Sequence, residues 1–232
     1  MNSPYLARIN VATAKLLATA AGLDDVAVAG PCLLPDWDRA MVLTHLAAAA
    51  DGARRAVEAA GRGEVGEVYP GGRAAREAEI HSGRGQPAAE LERRLRTACS
   101  ALSTAFAEAA PEVWDAPALH PRGEVRIGPF LVVGRLREVE VHHVDLRCAY
   151  TPEDWPFQWV VEEMDRAMLA LPSRLPPGVA VVLAAKDTDQ HWVAGSGDAV
   201  ELSGTTAQLF TWVTGRSTTV DGQEAPPLTP WR

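Results

Sequence analysis

Glu138 and His142 stand four residues apart within Leu136-Arg-Glu-Val-Glu-Val-His-His-Val-Asp-Leu146. This pair constrains the chain more than any other feature. In a helix, positions i and i+4 lie one above the other on the same face, so a carboxylate and an imidazole would converge there. The pattern from Pro129 to Tyr150 runs for about twenty residues, longer than an ordinary strand, and Pro129 suits a helix start. A strand alternating Glu and Val through Arg-Glu-Val-Glu-Val is the competing reading, and it accounts for only part of that run.

Two ligands do not complete a catalytic zinc site, which commonly takes three protein ligands and keeps a fourth position open. The third must come from another element. Asp145, three residues beyond His142, is placed to support that ring from behind. His143 is turned about 100° away from His142 and cannot easily share its metal. The plainer reading makes Glu138, Glu140, His142 and His143 polar positions on a half-exposed helix.

The rest of the N-terminal part supplies helices for such a pair to face. Ser3-Pro4 opens a first helix that runs through Ala-rich sequence to Ala21, before Gly22. After a connection through Gly30-Pro31, Asp36 can cap a second helix reaching about Ala60. On that helix Met41, Val42, Leu46 and Ala49 are the i±3 and i±4 neighbours of His45, which turns the imidazole inward. A hydrogen-bonded core histidine and a third metal ligand are both open readings of His45.

Gly61 to Gly85 is rich in Gly and Arg, with a short helix-compatible piece over Arg73 to Ile80. From Pro87 an amphipathic helix carries Leu91, Leu95, Cys99, Leu102 and Phe106 on one stripe. Cys99 lies in that stripe, so core packing explains it better than nucleophilic chemistry. Pro111 to Gly128 reads as loop with a small hairpin around Pro121-Arg122-Gly123. Four helices before residue 151 make a helical bundle the natural arrangement, with ligands projecting into its core.

The texture changes after Thr151-Pro152. A helix from about Pro156 to Leu171 precedes strand-like runs at Val179 to Ala185, His191 to Ala194 and Ala199 to Leu202, with a turn at Gly195 to Asp198. Gly204 to Thr214 reads as a final helix ended by Gly215, and a proline-rich tail runs to Trp231. The expected organisation is therefore α+β, with a helical domain over 1–152 and a small α/β domain over 153–232.

Charge and cysteine usage narrow the function. The 232 residues carry a net charge of −8, which argues against general nucleic-acid or anionic-membrane binding. Only Lys15 and Lys186 among the 22 basic residues are lysines, so an anionic small-molecule substrate would need a local cluster of arginines. Cys32, Cys99 and Cys148 are odd in number and in no CxxC spacing, which points to a reducing compartment. With no apolar leader or membrane-length run, a cytoplasmic protein is expected.

These segments resemble the mycothiol-dependent maleylpyruvate isomerases. Leu34-Pro-Asp-Trp-Asp-Arg-Ala-Met-Val-Leu-Thr-His45 is similar to the family's Trp-to-His helix opening. Arg137-Glu-Val-Glu-Val-His-His-Val-Asp-Leu146 is similar to its Arg-Glu-Val-x-x-His-x-Val-Asp-Leu segment. The resemblance covers nearly the whole chain and implies a DinB-like four-helix bundle followed by a small α/β domain. It further implies zinc held by His45, Glu138 and His142, with Arg76 and Arg216 at the substrate site. His143 departs from the pattern, because the family carries a small residue after the ligand histidine.

The implied reaction belongs to gentisate breakdown. A mycothiol thiolate, ionised by zinc, adds to the maleylpyruvate alkene carbon conjugated to the ketone, and the resulting enolate rotates about a single bond. Expulsion of the thiol then leaves fumarylpyruvate. Arg216 and Arg76 would hold carboxylates or stabilise the enolate, although both also read as ordinary surface arginines. The same site would serve a mycothiol S-transferase conjugating small electrophiles, and the same bundle could be a non-catalytic metal-binding regulatory module.

Overall fold

The computed structural model describes residues 3–121 and 123–230, so Arg122 of the expected hairpin turn and Trp231 of the tail lie outside the described residues. The chain divides into two compact units, Met1–Tyr150 and Thr151–Arg232.

Unit 1 is helical, and its long helices are α1 (Ser3–Ala21), α3 (Arg39–Gly61), α5 (Ala88–Glu108) and α6 (Val133–Asp145). Two shorter helices, α2 (Asp25–Val28) and α4 (Gly72–His81), lie between them. The centre is α3, which packs against α5, α4 and α6, while α1 covers α5 and α6. Every residue from Ala40 to Ala50 is buried. A helix apolar around its whole circumference belongs inside a fold, and the small alanines let its neighbours come close. Leu16, Met41, Leu46 and Leu95 are fully buried in this unit, each stabilising by about 1.5–3 kcal/mol relative to exposure.

Three sequence expectations change here. The cap of α3 is Asp38, whose Oδ1 accepts from the Met41 amide at 2.8 Å, and not Asp36, which sits in the left-handed region at φ 65°. The last long helix does not begin at Pro129. A π-helical turn, Ile127–Val132, comes first, and the α-helix ends at Asp145, just before Arg147 turns left-handed at φ 53°. The connection after Gly22 also contains α2, where a loop was expected.

The expected hairpin is present as β2 (Pro117–His120) paired antiparallel with β3 (Gly123–Arg126). A short strand, β1 (Gly66–Glu67), joins β2 in parallel. Val68 follows it, and Gly52 on α3 permits that approach, because a Cβ there would collide with the Val68 carbonyl oxygen. The amide of Val68 donates to Leu119 at 2.9 Å, and Arg55 donates to its carbonyl at 3.0 Å.

Unit 2 contains α7 (Phe157–Ala170), α8 (Thr206–Val213) and the strands β4 (Val179–Ala185), β5 (His191–Gly195) and β6 (Asp198–Gly204). The sheet order is β5-β4-β6, with β4 antiparallel to β5 and parallel to β6. Thr205 and Gln208 form a reciprocal capping box that starts α8, two residues after the expected position. Trp155, Trp159 and Phe210 meet edge to face between α7 and α8. The tail opens with an unforeseen hairpin, β7 (Thr219–Val220) and β8 (Gln223–Glu224). The whole is α+β, and among the described residues no helix is long and apolar enough to cross a membrane.

Candidate metal centre

His45 enters the core because α3 is buried on all sides from Ala40 to Ala50, and at 2% exposure its imidazole must find polar partners. It finds them on α6. Its Nε2 lies 2.8 Å from Glu138 Oε2 and 3.1 Å from His142 Nε2. The third edge of this triangle, His142 Nε2 to Glu138 Oε2, is 3.4 Å. Spacing along α6 brings Glu138 and His142 together, and the packing of α3 against α6 adds His45.

The surroundings hold the rings in place. Asp145 is fully buried and its Oδ2 accepts from His142 Nδ1 at 2.7 Å, which leaves His142 Nε2 facing the other two groups. The turn carrying Asp145 is itself pinned: Leu33 donates to the Asp145 carbonyl at 2.9 Å, and Arg39 donates to Leu146 at 2.5 Å and to Arg147 at 3.1 Å. Trp37 stands edge-on to His45 at 5.8 Å. Arg76 approaches from α4, with Nη2 3.2 Å from His45 Nδ1.

The electrostatics are strongly coupled. Burial pushes His45 down to about 4, although Glu138 pulls the other way. Burial also opposes charge on His142, but hydrogen bonds to Asp145 and Glu138 outweigh it and push that ring up to about 9. The Glu138 carboxyl is held well below the usual carboxylate range, because hydrogen bonds from His142 and His45 overcome the opposing effect of burial.

The residues fit a divalent cation. The three ligand atoms lie within 4.8 Å of one another, and the edges of 2.8, 3.1 and 3.4 Å approach the edge of roughly 3.4 Å expected for tetrahedral zinc with bonds near 2.1 Å. Two imidazole nitrogens and one carboxylate oxygen are a donor set typical of catalytic zinc, with room in the coordination sphere for one more ligand.

Residues 9–147 match the family model described as the mycothiol maleylpyruvate isomerase N-terminal domain. The chain belongs to that family. Two solved structures share its fold. One is the mycothiol-dependent maleylpyruvate isomerase, at TM-score 0.85 and 23% identity over 98% of this chain and 96% of that one. The other is a histidine-to-alanine mutant of the mycothiol-dependent maleylpyruvate isomerase, at 0.88 and 24% identity over 98% and 96%. The curated proteins contain no match.

Within this family member the other singled-out residues separate clearly. His143 faces away from the triad, with Nε2 2.7 Å from Thr19 Oγ1 and its ring stacked on Tyr150 at 3.8 Å. Cys99 is buried and accepts from Arg135 at 3.1 Å. Arg216 lies in unit 2, just past the left-handed Gly215, and its Nη1 donates to the Thr214 carbonyl at 2.6 Å. Its charge adds to burial in lowering the pKa of Arg174, which donates to the carbonyls of Val213 and Thr229. Tyr69 had no sequence signal, yet Arg76 lies over its ring, 5.4 Å from the centroid.

Proposed function

We propose that this family member is a zinc- and mycothiol-dependent isomerase that converts maleylpyruvate to fumarylpyruvate. The observation that carries the reading is the convergence of His45, Glu138 and His142, with Asp145 behind His142, in a chain of this family. When bound, the cation would supply the Lewis acidity that ionises a thiol, and the thiol would supply a nucleophile whose reversible addition makes the substrate double bond rotatable.

The chain's own residues have distinct tasks in this scheme. His45, Glu138 and His142 hold the cation, and Asp145 fixes which His142 nitrogen faces it. Arg76, beside His45, binds a substrate carboxylate or the negative charge that develops on the substrate, a task suited to a planar guanidinium. Arg216 is proposed for the same kind of contact, on the strength of the sequence resemblance. No protein cysteine takes the nucleophile's part, and the core position of Cys99 agrees with that.

Replacing His45 with Ala tests the assignment. Zinc content measured by mass spectrometry and thiol-dependent turnover should fall together, turnover by at least about a hundredfold, while circular dichroism retains the helical signal. Normal zinc and full turnover in His45→Ala would remove His45 from the site.

A further inference from the structure

We infer that the Tyr69 hydroxyl is a catalytic hydrogen-bond donor, aimed at the substrate oxygen that becomes negative when the thiol adds; the inference rests on the proposed isomerase reaction. Tyr69 stands between β1 and α4, at the edge of the metal centre. Its ring is 5.4 Å from the Arg76 Cζ, and that guanidinium reaches His45 Nδ1 at 3.2 Å. His120 meets the Tyr69 ring edge-on at 5.8 Å, and Phe130 meets His120 at 5.0 Å. The phenol ring thus has a cation and an aromatic ring as neighbours.

The backbone around it is as firmly placed. The preceding residue, Val68, is pinned through both its amide and its carbonyl, against the close approach that Gly52 allows. The Tyr69 carbonyl accepts from Gly72 at 2.9 Å. Such preorganisation is what a donor to a developing charge requires, since little rearrangement remains to be done at the moment of reaction.

The chemistry of the neighbours leaves the hydroxyl proton available. Arg76, which lies over its ring, carries only donors and cannot accept it. Burial and then the Glu138 carboxylate raise the hydroxyl above the ordinary tyrosine range, against a lowering by Arg76. Tyr69 is therefore a donor and not a base at neutral pH. Addition of the thiolate to the alkene carbon moves an electron pair onto the conjugated ketone oxygen. Tyr69 would hydrogen-bond that oxygen without transferring its proton, and expulsion of the thiol returns the pair to the alkene.

Two variants separate this role from packing. Tyr69→Phe keeps the ring against Arg76 and His120 and removes only the donor; Tyr69→Leu removes both. With zinc-loaded protein, mycothiol and maleylpyruvate, Tyr69→Phe should lower kcat by about 10- to 1000-fold, with KM, zinc content and melting temperature near those of the wild type. Tyr69→Leu should lower kcat at least as far and also lower the melting temperature. Wild-type kcat in Tyr69→Phe, with loss only in Tyr69→Leu, would make Tyr69 a packing residue and overturn the inference. So would a fall in the zinc content of Tyr69→Phe that accounts for the lost activity. A zinc-loaded wild type that turns over no maleylpyruvate with mycothiol would defeat the isomerase reading, and this inference would fall with it.

Discussion

Arg76 Nη2 lies 3.2 Å from His45 Nδ1, and since a guanidinium can only donate, His45 accepts there and carries its own proton on Nε2. That proton faces Glu138. Ligation of a cation through Nε2 would move the ring proton to Nδ1 and set it against Arg76. The contact would then be repulsive, and the Arg76 charge itself opposes a cation in the triad. Arg76→Leu should therefore bind zinc more tightly, by about tenfold or ~1.4 kcal/mol, while losing turnover. Competition with a chromophoric chelator measures the affinity, and unchanged or weaker binding would contradict this account.

Asp145 would act on a bound cation through His142, whose Nδ1 it holds at 2.7 Å. Asp145→Asn keeps the shape but weakens the hydrogen bond that orients the ring, and the zinc dissociation constant should rise 10- to 100-fold. The same chelator titration reads it, with Asp51→Asn, half-buried on α3 beside Arg54, as the control.

The raised pKa of His142, about 9, gives a pH dependence with a definite sign. Below that pH a cation must displace the ring proton, so zinc affinity should rise with pH, by about tenfold per unit, and level off near 9. In zinc-stripped protein the protonated ring stabilises the fold. Because the folded value exceeds the unfolded one, that contribution is complete below about 6.5 and is lost as pH rises through about 9. Urea unfolding of stripped protein between pH 6 and 10 follows it, and stability rising across that window would contradict the assignment.

His143 bonds to Thr19 of α1 and not to the His45, Glu138 and His142 cluster. His143→Ala breaks the 2.7 Å contact to Thr19 and the stack on Tyr150, at a cost of about 1–3 kcal/mol in unfolding free energy. Its zinc content should match the wild type. Loss of zinc in His143→Ala would require a different reading of α6.

Leu95 supplies the plain test of the core. It is fully buried on α5, the helix that packs against α3, and Leu95→Ala should cost about 2–5 kcal/mol, read from the chemical-denaturation midpoint.

Much of this was legible in the residues because it depends on local spacing. The i, i+4 pair Glu138 and His142 needs only a helix to converge, and the apolar neighbours of His45 announce that its ring turns inward. The strands β4, β5 and β6 follow from β-branched runs between glycine turns. What escaped depends on distant partners or on near-equivalent choices. Asp36 and Asp38 are both able caps, and only the fold selects the second. The π-helical turn before α6 replaces an α-helical start at Pro129, and β1 owes its pairing to β2, some fifty residues away in sequence. Tyr69 lies in a Gly- and Arg-rich stretch with no periodicity, and its position depends on Gly52 yielding space on another element.

The central claim is tested most directly by proton NMR of maleylpyruvate mixed with zinc-loaded protein, with and without mycothiol. The account predicts conversion to the trans product, fumarylpyruvate, free of sulfur and formed only when the thiol is present. Accumulation of a stable thiol conjugate, or no change in an intact protein with zinc bound, would contradict it.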